Sequence, residues 1–90
     1  MIDIHYSATF IKDLKSLKST SYYHKIKFVC FEELPAYTTT KGIKNIKKIE
    51  GHLDFFRVRV GDYRIGLEIV GNTIKVLRVL HRKEIYRFFP

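Results

Sequence analysis

The stretch Phe55-Phe56-Arg57-Val58-Arg59-Val60-Gly61-Asp62-Tyr63-Arg64-Ile65-Gly66-Leu67-Glu68-Ile69-Val70-Gly71-Asn72-Thr73-Ile74-Lys75-Val76-Leu77-Arg78-Val79-Leu80-His81 decides the fold. Two dipeptides, Gly61-Asp62 and Gly71-Asn72, divide three runs rich in β-branched residues. Glycine at the first turn position accepts the positive φ of a type II′ turn, so each dipeptide reads as a two-residue hairpin loop. Consecutive hairpins form an antiparallel meander, with strands expected near residues 55–60, 63–70 and 73–81.

A two-residue loop at Gly61-Asp62 pairs Val60 with Tyr63, Arg59 with Arg64, Val58 with Ile65 and Arg57 with Gly66. The same geometry at Gly71-Asn72 pairs Glu68 with Lys75, Gly66 with Leu77, Arg64 with Val79 and Asp62 with His81. Directly opposed residues share a face. One face then carries Phe56, Val58, Val60, Tyr63, Ile65, Leu67, Ile69, Ile74, Val76 and Leu80, an apolar surface for helices to cover. The other carries Arg57, Arg59, Arg64, Glu68, Lys75 and His81. Arg78 falls on the apolar side of this register, where a bulge or a snorkelling side chain has to accommodate it.

Arg59 opposite Arg64 is an unfavourable pair, because like charges then face each other across the ladder, and Arg57 adds to the repulsion. A bound anion relieves it, and the guanidinium fork suits phosphate. The plain alternative is a solvated face with splayed side chains. Alternating arginines, a hairpin and a histidine in one place favour the anion site. Gly66, opposite Arg57, is expected to leave an open spot where a ligand backbone can approach.

Outward from the meander, Ile2, Ile4 and Tyr6 alternate with Asp3 and His5 as a short strand, and Ser7 offers an N-cap. Phe10, Leu14 and Leu17 recur at helical spacing; Ser19-Thr20-Ser21 then breaks the helix and is placed to cap the next. Tyr22, Ile26 and Val29 suit a second amphipathic helix, which Pro35 must end. Residues 36–50 read as a loop followed by a short irregular or edge segment around Ile43, Ile46 and Ile49. After His81 the chain carries Arg82, then Ile85, Phe88 and Phe89 as core anchors, with Tyr86 one helical turn past Arg82. The fold class is α+β: an N-terminal strand and an α-helical hairpin packed on a small antiparallel sheet, with a short C-terminal segment. Residues 1–90 are expected to make one domain.

Seventeen Lys and Arg against nine Asp and Glu give a formal charge of +8, which favours a polyanionic partner. A 46% hydrophobic content supports a core. No apolar run approaches the ~18 residues of a membrane span, and the first residues do not read as a signal peptide. The single cysteine, Cys30, excludes an internal disulfide and fits a reducing cytoplasmic setting; it reads as a small buried hydrophobe. His5 and His24 read as surface residues, whereas His52, just before the basic strand, is a candidate substrate contact. No metal-ligand spacing occurs, so no metal or other cofactor is expected.

Phe-Arg-Val-Arg-Val-Gly-Asp-Tyr-Arg-Ile at 56–65, followed by Val-Leu-His-Arg-Lys-Glu-Ile-Tyr at 79–86, closely resembles the RelE branch of the RelE/ParE toxin superfamily, and the resemblance covers the whole chain. It implies the toxin of a type II toxin–antitoxin system: a metal-independent, ribosome-dependent mRNA endonuclease neutralised by a RelB-like antitoxin. The implied partners are that antitoxin, mRNA in the ribosomal A site and ribosomal RNA, with no membrane. The family's basic positions match Arg57 and Arg59 before the turn, Arg64 after it, and His81 and Arg82 after the last strand. Its C-terminal tyrosine matches Tyr86. The turn, and the spacing from Arg82 to Tyr86, are each one residue shorter here than in the best-known member.

Cleavage of this kind uses the ribose 2′-hydroxyl against the adjacent phosphate and leaves a 2′,3′-cyclic phosphate and a 5′-hydroxyl. Arg57, Arg59, Arg64 and Arg82 suit stabilisation of the added charge, but a guanidinium with a pKa above ~12 is a poor base. Where relatives carry lysine on this strand, this chain has arginine. His81 is then the expected proton carrier, since imidazole ordinarily titrates near ~6.5, and Tyr86 is expected to orient the nucleophile or stack on a base. Two other readings stand beside this one. The first is a ParE-like non-nuclease toxin that inhibits DNA gyrase; the second is a non-catalytic module binding RNA or the ribosome.

Overall fold

Gly61 and Gly71 take φ of +57° and +59°, while Asp62 and Asn72 stay outside the positive-φ region. Positive φ at the first turn residue alone is the type II′ signature, so both hairpins close as their dipeptides require. The computed structural model describes residues 1–90. Five strands make one sheet in the order β1-β5-β4-β3-β2. They are β1 (Asp3–Tyr6), β2 (Ile46–Lys48), β3 (Phe55–Val60), β4 (Tyr63–Val70) and β5 (Thr73–His81). The meander strands match the expected limits, and the Ile46 segment is an edge strand.

The meander is antiparallel, as expected, and the N-terminal strand joins its edge in the parallel sense. β1 lies parallel to β5, from Asp3 opposite Thr73 to Tyr6 opposite Val76. No hairpin joins these two strands; the whole intervening chain makes the long crossover that parallel pairing demands.

Ser7 caps α1 (Ala8–Lys15), accepting the Phe10 N–H at 2.9 Å, and Phe10 and Leu14 face the core. The stretch Ser19–Ser21 breaks the chain without capping the next helix: the Thr20 hydroxyl donates back to Leu17 O at 2.8 Å. The second helical segment begins as α2 (Tyr23–Phe28), widens to a π-turn over Val29–Glu33 and closes with α3 (Leu34–Ala36). In the widened turn the Leu34 N–H donates to Val29 O, which leaves Cys30 O to the next residue. That residue is Pro35, which has no N–H. The Tyr6 hydroxyl supplies the missing donor, at 2.7 Å from Cys30 O. Proline therefore sits inside the last turn, and the helix ends one residue beyond it.

The helices cover one face of the sheet, where Phe10, Ile26 and Leu34 pack with Ile65, Leu67, Ile74, Val76 and Val79, all at most 1% exposed. On the opposite face, α4 (Ile85–Phe88) and Phe89 form a second, smaller cluster with Ile49, Phe55, Leu77 and Leu80. This cluster covers one end of that face and leaves the arginine-bearing end open.

The β3–β4 register is the expected one, from Val60 opposite Tyr63 to Arg57 opposite Gly66. The β4–β5 register starts as expected with Glu68 opposite Lys75, then slips. Leu67 pairs with Val76 and Gly66 with Arg78, so Leu77 is the extra residue of a β-bulge. The expected pairs Gly66–Leu77, Arg64–Val79 and Asp62–His81 do not form; Arg64 faces Leu80 and Tyr63 faces His81.

The cause lies at the edge of β5. β1 stops at Tyr6, and the start of α1 takes over the exposed backbone. Ser7 N donates to Val76 O at 2.9 Å and its hydroxyl to Leu77 O at 2.8 Å. Asp13 accepts the Val79 N–H at 3.2 Å and grips the Arg78 guanidinium at 2.7 and 3.0 Å. The bulge thus leaves its polar groups satisfied and removes Arg78 from the apolar face. It also carries Leu80 to the opposite cluster.

Candidate nucleic-acid interface

Alternation on β3 and β4 places Arg57, Arg59 and Arg64 on the face away from the helices. The Gly61-Asp62 turn then organises them. Arg64 donates through Nη1 to Gly61 O at 2.9 Å and Tyr63 O at 3.1 Å, which fixes its guanidinium over the turn and leaves other N–H groups free. Arg82 enters the same turn by donating its backbone N–H to Asp62 O at 2.8 Å, with its guanidinium 4.0 Å from the Asp62 carboxylate. Arg64 is held below the ordinary arginine range, first by burial and then by the charges of Arg57 and Arg59, with Arg82 adding to them and Tyr86 opposing. Such crowding of like charge is a cost that an anion removes.

Tyr86 joins this group. Its hydroxyl oxygen accepts from Arg57 Nε at 3.2 Å. The hydrophobic residues on either side hold it there: Ile85 is fully buried and Phe89 is 3% exposed, whereas Tyr86 is 62% exposed. Phe89 also corrects the reading of Gly66. A Cβ at Gly66 would lie 2.8 Å from the Phe89 ring, so the glycine receives an aromatic side chain and leaves no opening for a ligand. Phe88, expected as an anchor, is half exposed and lies beside Arg78 and Arg87.

His81 is not on the arginine face. The bulge turns it to the side of Tyr63, where the two rings meet edge-on at 5.5 Å, and its Nδ1 accepts the Lys83 N–H at 3.2 Å. His52 is also kept apart from the turn: it is exposed and packs against Phe55 at 5.7 Å, at the opposite end of β3 from Arg59. His5, paired with Asp3, and His24, beside Tyr23, are both exposed at the surface, as expected. Cys30 is fully buried, and burial pushes its thiol up to about 12.

One residue of the face escapes the sequence reading. Lys47 of β2 lies opposite Arg57 and so shares its face. A three-residue edge strand carries too little periodicity to announce its register, and only its pairing with β3 reveals the lysine. Arg59 also lines a groove of about 620 Å³ with Tyr22, Lys25 and Asn45, which extends the basic surface past the edge of β3. The arrangement is a cluster of guanidiniums, Arg57 and Arg64 held by hydrogen bonds, beside an exposed phenol, able to hold a phosphate and to oppose charge that develops on it.

Known proteins share this framework. A protein-family model described as the ParE toxin of the type II toxin–antitoxin system parDE matches residues 4–86. Toxin RelE3 of Methanocaldococcus jannaschii is 44% identical over 86 residues, covering 94% of this chain and 96% of its own. A chain of the RelB–RelE antitoxin–toxin complex from Methanococcus jannaschii superposes with a TM-score of 0.74 at 41% identity, covering 96% of this chain and 99% of that one. The DinJ–YafQ complex from E. coli holds a chain with a TM-score of 0.71 over the full length of both, at 15% identity, which speaks for the fold alone. The chain belongs to the RelE/ParE superfamily of type II toxin–antitoxin toxins, and within it to the RelE-like members.

Proposed function

We propose that this toxin is an endoribonuclease that cuts mRNA on the translating ribosome without a metal ion, and that a RelB-like antitoxin restrains it. The observation that carries the reading is the Arg57–Tyr86 hydrogen bond, which adds an ionisable hydroxyl to a cluster of phosphate-suited guanidiniums. In the reaction the 2′-oxygen bonds to phosphorus, the bond to the 5′-oxygen breaks, the 2′-hydroxyl proton passes to solvent water and another proton reaches the 5′-oxygen. Arg57, Arg59, Arg64 and Arg82 bind the phosphate and oppose its growing charge, the kind of effect that is worth ~10²–10³ in rate for one donor. Tyr86 accepts from Arg57, so its own hydrogen points elsewhere and serves as a donor to the phosphate or the leaving oxygen. His81, turned to the helix side, takes no part in this scheme, and neither does His52.

The antitoxin is expected to be an acidic or amphipathic chain that covers the arginine face or displaces the Tyr86 segment. Purified toxin added to a translating extract should produce transcript fragments ending in 2′,3′-cyclic phosphate, and the Tyr86→Phe variant should produce about 100-fold fewer. Intact transcripts accompanied by damaged DNA would instead assign gyrase as the target. Intact transcripts and intact DNA would leave a binding module.

A further inference from the structure

We propose that the cleft between β2 and Tyr86 is a nucleobase subsite that prefers a base with an exocyclic amino group to uracil; this rests on the mRNA-cleaving reading above. The cleft measures about 310 Å³ and is lined by Lys47, Lys48, Ile49, Glu50 and Tyr86. That is the lower end of the roughly 300–1,000 Å³ typical of small-ligand sites. It adjoins the arginine cluster directly, because Tyr86 contacts Arg57 and Lys47 lies opposite Arg57. A nucleotide whose phosphate sits on the arginines therefore has its base beside the exposed Tyr86 ring, a stacking surface for any base.

The edge groups add selectivity. Glu50 forms none of the ion pairs in the structure, although lysines stand next to it. A free carboxylate weakens a surface meant only for phosphate backbone, but it suits a base edge that donates hydrogen bonds. The backbone that carries Glu50 is held on both sides. Ile49 is buried in the C-terminal cluster and its N–H donates to Phe55 O at 2.8 Å, and Gly51 turns the chain at φ +81°. Adenine, cytosine and guanine each present an exocyclic amino donor to a carboxylate, while uracil offers only its N3–H, flanked by two carbonyl oxygens that the carboxylate repels. Lys47 can donate to a neighbouring ring nitrogen or carbonyl.

The test is an NMR titration of isotope-labelled toxin with 2′-O-methyl RNA trinucleotides that differ in one base and lack the nucleophile needed for cleavage. Shifts should appear at Lys47, Glu50 and Tyr86 as well as at Arg57 and Arg64. The amino-bearing bases should bind about five- to tenfold more tightly than uracil, the net worth of one hydrogen bond. Glu50→Gln should bring the four bases close to parity, and Lys47→Ala should weaken all of them. Shifts confined to the arginines with equal affinity for all bases would overturn the subsite and leave the nuclease reading intact. No shift anywhere on this face would overturn the subsite, while the nuclease reading stands or falls separately on fragments in the translating extract.

Discussion

Two hairpins of this sheet have the same turn chemistry and different fates. Gly61-Asp62 and Gly71-Asn72 both close type II′ turns, yet the register set by the first runs unbroken along β3 and β4 while that set by the second slips at Leu77. The difference lies outside the ladders. β4 is bonded on both edges by regular strands, whereas β5 outlasts its neighbour β1 and is finished by Ser7 and Asp13. A turn specifies register only as far as the next partner that demands something else. Here that partner decides which face receives a histidine and which a leucine.

The strongest way to break the comparison is to remove what holds the bulge. Asp13→Ala strips Arg78 of its carboxylate, in a pair whose side chains are only 25% and 12% exposed, and leaves the Val79 N–H unmet. A loss of about 2–3 kcal/mol is expected, measured by urea unfolding, with no comparable loss from Asp62→Ala at the exposed turn. Next is Gly66→Ala. Its methyl would press on Phe89, so a cost of about 1–2 kcal/mol and displacement of Tyr86 from Arg57 are expected, seen as a lower melting temperature and slower cleavage.

A smaller effect sharpens the consequence of the slip. With His81 turned toward Tyr63, His81→Ala should keep cleavage within about tenfold of wild type, well above Tyr86→Phe in the same assay. A loss as large as that of Tyr86→Phe would return His81 to the chemistry. The smallest effect belongs to the regular hairpin. Arg59→Gln removes one of two facing charges and should raise stability by about 0.2–1 kcal/mol in the absence of RNA.

These contrasts also explain what was legible in the sequence. The arginine face was legible because one local turn determines which of Arg57, Arg59 and Arg64 lie together. The bulge was not, because its cause is 70 residues away at Ser7; Arg78 on an apolar face was its only trace. The role of Gly66 is not legible, since a strand glycine reads the same whether a ligand or an aromatic ring fills the space above it. Phe89 supplies the ring from the chain's end. Lys47 stayed hidden because Ile46–Lys48 is too short to declare a face. The sequence places Tyr86 one helical turn past Arg82, and the burial of Ile85 and Phe89 explains how it is held beside Arg57.

The claim that joins all of this is that the arginine cluster is kept for binding phosphate, at some cost to the folded state. Arg64 tests it most directly, because its guanidinium stands among the other charges and is held below its ordinary range. Transcript 5′ ends mapped in a translating extract, with thermal melting of the same protein, give both halves of the answer. Arg64→Ala should lose codon-dependent breaks by about 100-fold or more while melting at or above the wild-type temperature. Wild-type cleavage by Arg64→Ala, or intact transcripts with the unaltered toxin, would contradict the account.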